Sequence, residues 1–202
     1  MRTTRALGAL ALGLALVLAG CSNDDDGDDT GAGGGDHNAA DVTFASDMIQ
    51  HHAQALLMVD LTLDRDLDPE VLRLAEAIRE AQAPEIESLS DWLQDWDEDV
   101  PATVRDHANG DHAGAMGDMG DDTGTDLPGM MSDADLSALR DASDAEFQDL
   151  WLTMMIAHHE GAIAMAGTER ADGGYRPAID LAEQIESSQA DEIATMEDLL
   201  GS

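Results

Sequence analysis

The sequence contains no lysine and a single cysteine. All nine basic residues are arginine, against 44 acidic ones, which leaves a formal net charge of −35. A chain this acidic repels nucleic acid and anionic lipid, so neither is expected as a partner, and its field draws cations to the surface without choosing among them. Cys21 alone can form neither an intramolecular disulfide nor a thiolate cluster. Any metal must therefore be held by His, Met, Asp or Glu. Also missing are a run with the period of two that marks a strand, a Gly-rich phosphate loop, a serine nucleophile elbow and a basic aromatic patch, so nucleotide and hydrolytic chemistry have no support.

The first twenty residues, MRTTRALGALALGLALVLAG, carry two arginines and then an uncharged run of Ala, Leu, Gly and Val. This is the layout of an export signal, and the run from Ala6 to Ala19 is shorter than the roughly 20 residues a bilayer span requires. It ends in LAGC, which resembles the lipobox of bacterial lipoproteins, in which the cysteine is lipidated and becomes the new N-terminus. The expected product is an exported protein, anchored through Cys21 to the outer face of the cell membrane or held in the periplasm. Removing residues 1–20 takes away two arginines and no acid, so the formal charge moves from −35 to −37. Residues 21–38 are dominated by Asp and Gly, the composition of a solvated tether.

From residue 39 onward the chain is duplicated. A shift of 107 residues lays MIQHHAQALLM (Met48 to Met58) on MIAHHEGAIAM (Met155 to Met165), and LAEAIREAQAPEI (from Leu74) on LAEQIESSQADEI (from Leu181). Between Met48–Leu93 and Met155–Leu200, 16 of 46 positions are identical without a gap, and Phe44 falls on Trp151. Each copy divides into two helical patterns. Asp68 and Pro69 offer an N-cap and first helical residue, Ser143 with Glu146 forms a capping box, Asp172 to Gly174 ends a helix and Pro177 opens the next. A short helix is expected from Ser132, with Asp135 at its third position. Pro84 falls inside the second helix, where it removes one backbone bond or kinks the helix. The predicted fold is all-α, a four-helix bundle of the ferritin-like kind in residues 39–202. It is built from hairpins 39–97 and 132–202 with a His/Met/Asp/Gly linker over 98–131 that permits a crossover.

Phe44, Met48, His51, Ala55 and Met58 form one helical stripe, and Trp151, Met155, His158, Ala162 and Met165 repeat it. His52 and His159 sit on flanking stripes that are also apolar. Four imidazoles thus face or border the interior, where an unpartnered ring loses hydrogen bonds worth about 1–3 kcal/mol. Gln82 and Glu85, and their counterparts Gln189 and Glu192, share a face at i, i+3 spacing and could meet the rings; Glu160, next to His159, is a further supporting group. Two readings follow. In one, the histidines are core residues bonded to these polar groups, in a structural or interaction module without metal. In the other, His51, His52, His158 and His159 with Met48, Met58, Met155 and Met165 ligate an ion.

Imidazole with thioether suits copper, because soft thioethers select Cu(I) and imidazole accepts either oxidation state; zinc remains open through four imidazoles or two with carboxylates. A di-iron oxidase site needs Glu-x-x-His on two helices. Here Met48, Met155, Ile49 and Ile156 stand three residues before the histidines, which argues against that chemistry. No substrate pocket is legible, so a binding protein is expected rather than an enzyme, with an oligomer compatible. His107, His112, Met116 and Met119, with Met130 and Met131 further along, could form an accessory metal-handling loop.

The motifs GMMSDADLSAL, EFQDLWLTMMIAHHEGAIAMA and LAEQIESSQADEIATMEDLL in the second copy, with FASDMIQHHAQALLM and LAEAIREAQAPEI in the first, resemble a bacterial family catalogued as domain of unknown function 305. The resemblance covers most of residues 40–200. It implies a ferritin-like fold and an exported protein that binds metal, copper foremost, through His51, His52, His158, His159, Met48, Met58, Met155 and Met165. The first copy departs from the pattern, with Ala53 and Gln54 in place of Glu160 and Gly161, and Pro84 in place of Asp191.

Overall fold

In the computed structural model, residues 37–104 and 127–201 are described. The expected signal peptide, Cys21, nearly all of the expected tether, and His107, His112, Met116 and Met119 lie outside the described residues.

Five helices and no strand are found among the described residues: α1 (Ala39–Asp60), α2 (Pro69–Asp95), α3 (Asp133–Asp141), α4 (Asp144–Asp172) and α5 (Arg176–Leu200). None is long and apolar enough to cross a membrane. The caps fall where local chemistry puts them. Asp68 accepts from the Glu70 amide ahead of Pro69, the Asp135 carboxylate accepts from Ser132, and that of Glu146 from Ser143. Helix α2 runs through Pro84, whose missing N–H leaves the Glu80 carbonyl without a helical donor on an exposed face.

The first correction to the sequence reading is at the start of α1. His37 and Asn38, assigned to the tether, belong to the fold. Asn38 caps α1 through the Ala40 amide, and its Nδ2 donates to the Asp172 carbonyl at 3.0 Å. His37 stacks on Trp96, with ring centroids 4.5 Å apart. A short polar side chain satisfies orphan helix-end donors, so Asn ends a tether as readily as it continues one.

Helices α1 and α2 pack as one hairpin and α4 and α5 as the other, with α1 against α4 joining them. The indole of Trp151 donates to the Met58 carbonyl at 2.9 Å, while His51 meets His158 and Phe44 packs near Ala162 and Ala166. Helices α1 and α4 therefore run antiparallel. Since α2 is antiparallel to α1, α2 and α4 run the same way, the relation between hairpins that ferritin-like folds share.

Two apolar clusters fill the interior. One gathers Met58, Val59, Val71, Ile78, Phe147, Trp151, Met155 and Met196; the other Phe44, Met48, Ile49, Leu89, Leu93, Ala162, Ala166 and Ile185. Each long helix contributes to both, and between its two contributions it buries polar side chains: His51 and His52, Gln82, His158 and His159, and Gln189.

At the end of the second cluster, Asp41 is fully buried and accepts from the amides of Asn38, Gly174 and Tyr175, the last at 2.8 Å. Burial pushes the Glu169 carboxyl up to about 8, and the neighbouring Asp41 adds to the shift. Burial alone would raise Asp41 too, but the adjoining Glu169 carboxyl and the three amides hold it below its ordinary value.

A candidate metal centre in the polar layer

The polar residues between the clusters form one layer across the bundle. It takes His51 and His52 from α1, Gln82 and Glu85 from α2, His158 and His159 from α4, and Gln189 and Glu192 from α5. All four histidines are fully buried, and both glutamines are 2% exposed. The His51 and His158 rings meet at the centre, their centroids 3.7 Å apart; His52 and His159 flank them at 6.5 and 6.4 Å from their own neighbours.

The outer rings are tied to carboxylates symmetrically. His52 Nε2 lies 2.8 Å from Glu85 Oε2, and His159 Nε2 lies 2.6 Å from Glu192 Oε2. His51 Nε2 lies 3.0 Å from the Pro128 carbonyl oxygen. A carbonyl or carboxylate oxygen only accepts, so each of these three rings donates from Nε2. With Nε2 protonated, Nδ1 of the neutral ring carries a lone pair. Among the described residues, Nδ1 of all four histidines is buried without a partner, and so is Nε2 of His158. Gln82 leaves both ends of its amide unpartnered as well, and Gln189 its oxygen.

Charge is unwelcome at the centre. Burial lowers His51 to about 3, with the neighbouring His52 adding to it, and lowers His158 well below its ordinary value, with His51, His159 and His52 contributing. The His51 carbonyl opposes the shift of His158 only weakly and does not meet hydrogen-bond geometry. Both central rings are thus neutral at pH 7, the form that binds metal.

The donor set fits a cation that binds neutral imidazole. A ring that gives its far N–H to a carboxylate or backbone carbonyl has its tautomer and orientation fixed for ligation through the other nitrogen. Each orphaned nitrogen costs about 1–3 kcal/mol if it stays unmade, a cost a bound ion would offset. No three His, Cys, Asp or Glu groups among the described residues already stand as a ready-made site. Pairs of donors are what the layer offers, and rings must turn to recruit more.

The sequence-predicted ligands are not all brought together. Met48 and Met155 are fully buried one turn before His51 and His158 and flank the layer from opposite sides, in different clusters. Met58 is seven residues beyond His51, about 10 Å along the axis, and packs in the first cluster. Met165 is only partly buried, against the second. The structure does not bring Met58 or Met165 to the imidazoles, because the shared stripe continues two turns past the layer. Glu160 is exposed and is not among the groups that meet the rings. Gln82, Glu85, Gln189 and Glu192 all stand in the layer. Sequence reasoning missed Gln54, whose difference from Gly161 was the available signal, and the seating of residues 127–131 on the bundle, which composition assigned to the linker.

The family model of a domain of unknown function, DUF305, matches residues 41–200. A DUF305 protein of Streptomyces coelicolor described as secreted is 30% identical, with a TM-score of 0.67 over 80% of this chain and 92% of that one. A DUF305 fragment from Deinococcus radiodurans is 29% identical, with a TM-score of 0.66 over 82% and 97%. CopM in its Cu(II)-bound form is 27% identical, with a TM-score of 0.62 over 80% and 95%; Cu(I)-bound and silver-bound forms of CopM are similar as well. Zinc, the second ion left open by the sequence, finds no support among these neighbours. Comparison with the curated proteins finds no match.

Proposed function

Because the chain belongs to the DUF305 family, we propose that it is an exported, membrane-tethered copper-binding protein whose polar layer takes up the ion for sequestration or transfer. The observation that carries this reading is the set of buried, unpartnered Nδ1 atoms on rings whose Nε2–H groups are already spoken for by Glu85, Glu192 and the Pro128 carbonyl. Cu(I) and Ag(I) accept two donors in line, so a pair of facing imidazoles suffices to begin coordination. Zinc in a closed site wants four. Met48 and Met155, one turn before His51 and His158, would add thioether donors, which favour Cu(I). The binding of copper in CopM, whose sequence aligns over most of this chain, supports the choice of ion. Lipidation at Cys21 would hold the domain at the membrane on the acidic tether.

The test is copper, silver and zinc titration, with elemental analysis after desalting, beside a variant with His51, His52, His158 and His159 all replaced by alanine. Circular dichroism checks the variant's fold, and single replacements serve if it fails to fold. The expected result is copper retained by the parent and lost from the variants. Equal retention by both, or none by either, would make the histidines a hydrogen-bonded core.

A further inference from the structure

The internal duplication breaks at one place beside the histidine layer. Position 54 is Gln, and its counterpart 107 residues on is Gly161. Between the two runs the segment Leu127–Ser132. Its turn is closed by the Met130 amide donating to the Leu127 carbonyl at 3.2 Å, with Pro128 second and Gly129, at φ +77°, third. That is the residue order of a type II turn, which needs glycine at its third position. Gln54, itself 2% exposed, grips the far end with both halves of its amide. Its Nε2 donates to the Met131 carbonyl at 2.9 Å, and its Oε1 accepts from the Met131 amide at 2.7 Å. On the opposite side there is no room for a side chain. A Cβ on Gly161 would lie 1.9 Å from the Pro128 carbonyl oxygen, and one on Gly129 would lie 2.5 Å from the Ala157 carbonyl and 3.0 Å from that of His158. The same Pro128 oxygen accepts from His51 Nε2.

We propose that Gln54 and Gly161 are positioning residues that seat the Leu127–Ser132 strap over the central imidazole pair, where it fixes the tautomer of His51 and closes the route by which Cu(I) or Ag(I) reaches His51 and His158. Only the last clause rests on the metal-binding reading. The strap explains why the two copies differ here: one helix supplies the clamp and the other gives up its side chain to make space. It also explains why His51 has a partner for Nε2 and its counterpart His158 has none among the described residues.

The test compares the metal-free chain with Q54A, G161A and, as a control on a nearby exposed residue, E160A. Carbethoxylation by diethyl pyrocarbonate, mapped by mass spectrometry, should reach His51 and His158 at least about fivefold faster in Q54A and G161A, as expected for local opening when two hydrogen bonds are lost. E160A should match the parent. The His51 Nε2–H resonance should be visible and slowly exchanging in the parent and lost to exchange in Q54A. Q54M keeps the length of the side chain and loses both hydrogen bonds, so it should match Q54A; it carries the test if G161A does not fold. Ag(I) should load faster into Q54A to an unchanged stoichiometry. Unchanged protection of the two histidines in a folded Q54A overturns the proposal, and so does faster carbethoxylation with an unchanged Ag(I) loading rate. A chain that takes up no Ag(I) in any form would remove the metal-binding reading alone, and the seating of the strap would stand or fall on the first two measurements.

Discussion

His51 and His158 occupy equivalent positions of a duplicated sequence and meet ring to ring at 3.7 Å, yet among the described residues only the His51 ring has a hydrogen-bond partner. Two fully buried neutral imidazoles in contact, with three of their four nitrogens unpartnered among the described residues, form a costly core in the absence of an ion.

The cost predicts a trade between stability and binding. Replacing His158 by Leu, of similar volume, removes two orphaned nitrogens and should stabilise the metal-free protein by about 1–3 kcal/mol while lowering its copper content. Chemical denaturation of the metal-free form checks the first outcome and elemental analysis the second. Loss of stability in H158L would mean that the ring is satisfied in a way the structure does not show.

Glu85 and Glu192 orient His52 and His159 through matching bonds of 2.8 and 2.6 Å. Neutral Glu85→Gln and Glu192→Gln variants should each weaken copper binding by about 10–100-fold, the usual effect of losing a group that orients a ligand. The two losses should be similar, because the duplication places the pairs equivalently. Competition titration against a chelator of known affinity reads both.

Met48 and Met155 flank the layer, whereas Met58 and Met165 pack two turns beyond the central histidines. Met→Leu conserves volume and usually costs less than about 1.5 kcal/mol. Cu(I) affinity should fall in a Met48→Leu, Met155→Leu double variant and hold in Met58→Leu, Met165→Leu. The reverse order would place the thioether ligands in the apolar clusters.

Stability should depend on pH in two opposed windows. Glu169 is raised to about 8 in the folded chain, so between its ordinary value of 4.5 and 8 the folded state holds a proton that the unfolded state has released, and stability falls as pH rises. His51 is lowered to about 3 from 6.5, and His158 is lowered too, so the unfolded state holds the extra protons there and stability rises as pH climbs toward 6.5. Glu169→Gln should flatten the decline from neutral toward pH 8 and leave the acid limb in place. Thermal melts of the metal-free protein across this range provide the check.

Most of the fold was legible because its signals are local. Asp68 with Pro69, Ser132 with Asp135, and Ser143 with Glu146 mark helix starts by side chains that satisfy nearby amides, and the repeat shift of 107 paired the hairpins. The polar layer was legible for the same reason: Gln82 with Glu85 and Gln189 with Glu192 share one face at the level where the histidines interrupt each apolar stripe. What periodicity could not show is depth along a stripe. Met58 shares its face with His51 but not its level, because a stripe records direction around the axis and not which neighbouring helix stands opposite. Nor could composition reveal that Pro128 and Gly129 leave the linker and press on Gly161, since that contact joins residues far apart in the chain.

The most direct measurement is X-ray absorption at the copper edge of the Cu(I)-loaded protein. The account predicts nitrogen neighbours with the outer-shell scattering of imidazole rings, lost in a His51→Ala, His158→Ala variant. A first shell of sulfur or carboxylate oxygen alone, unchanged in that variant, would contradict it.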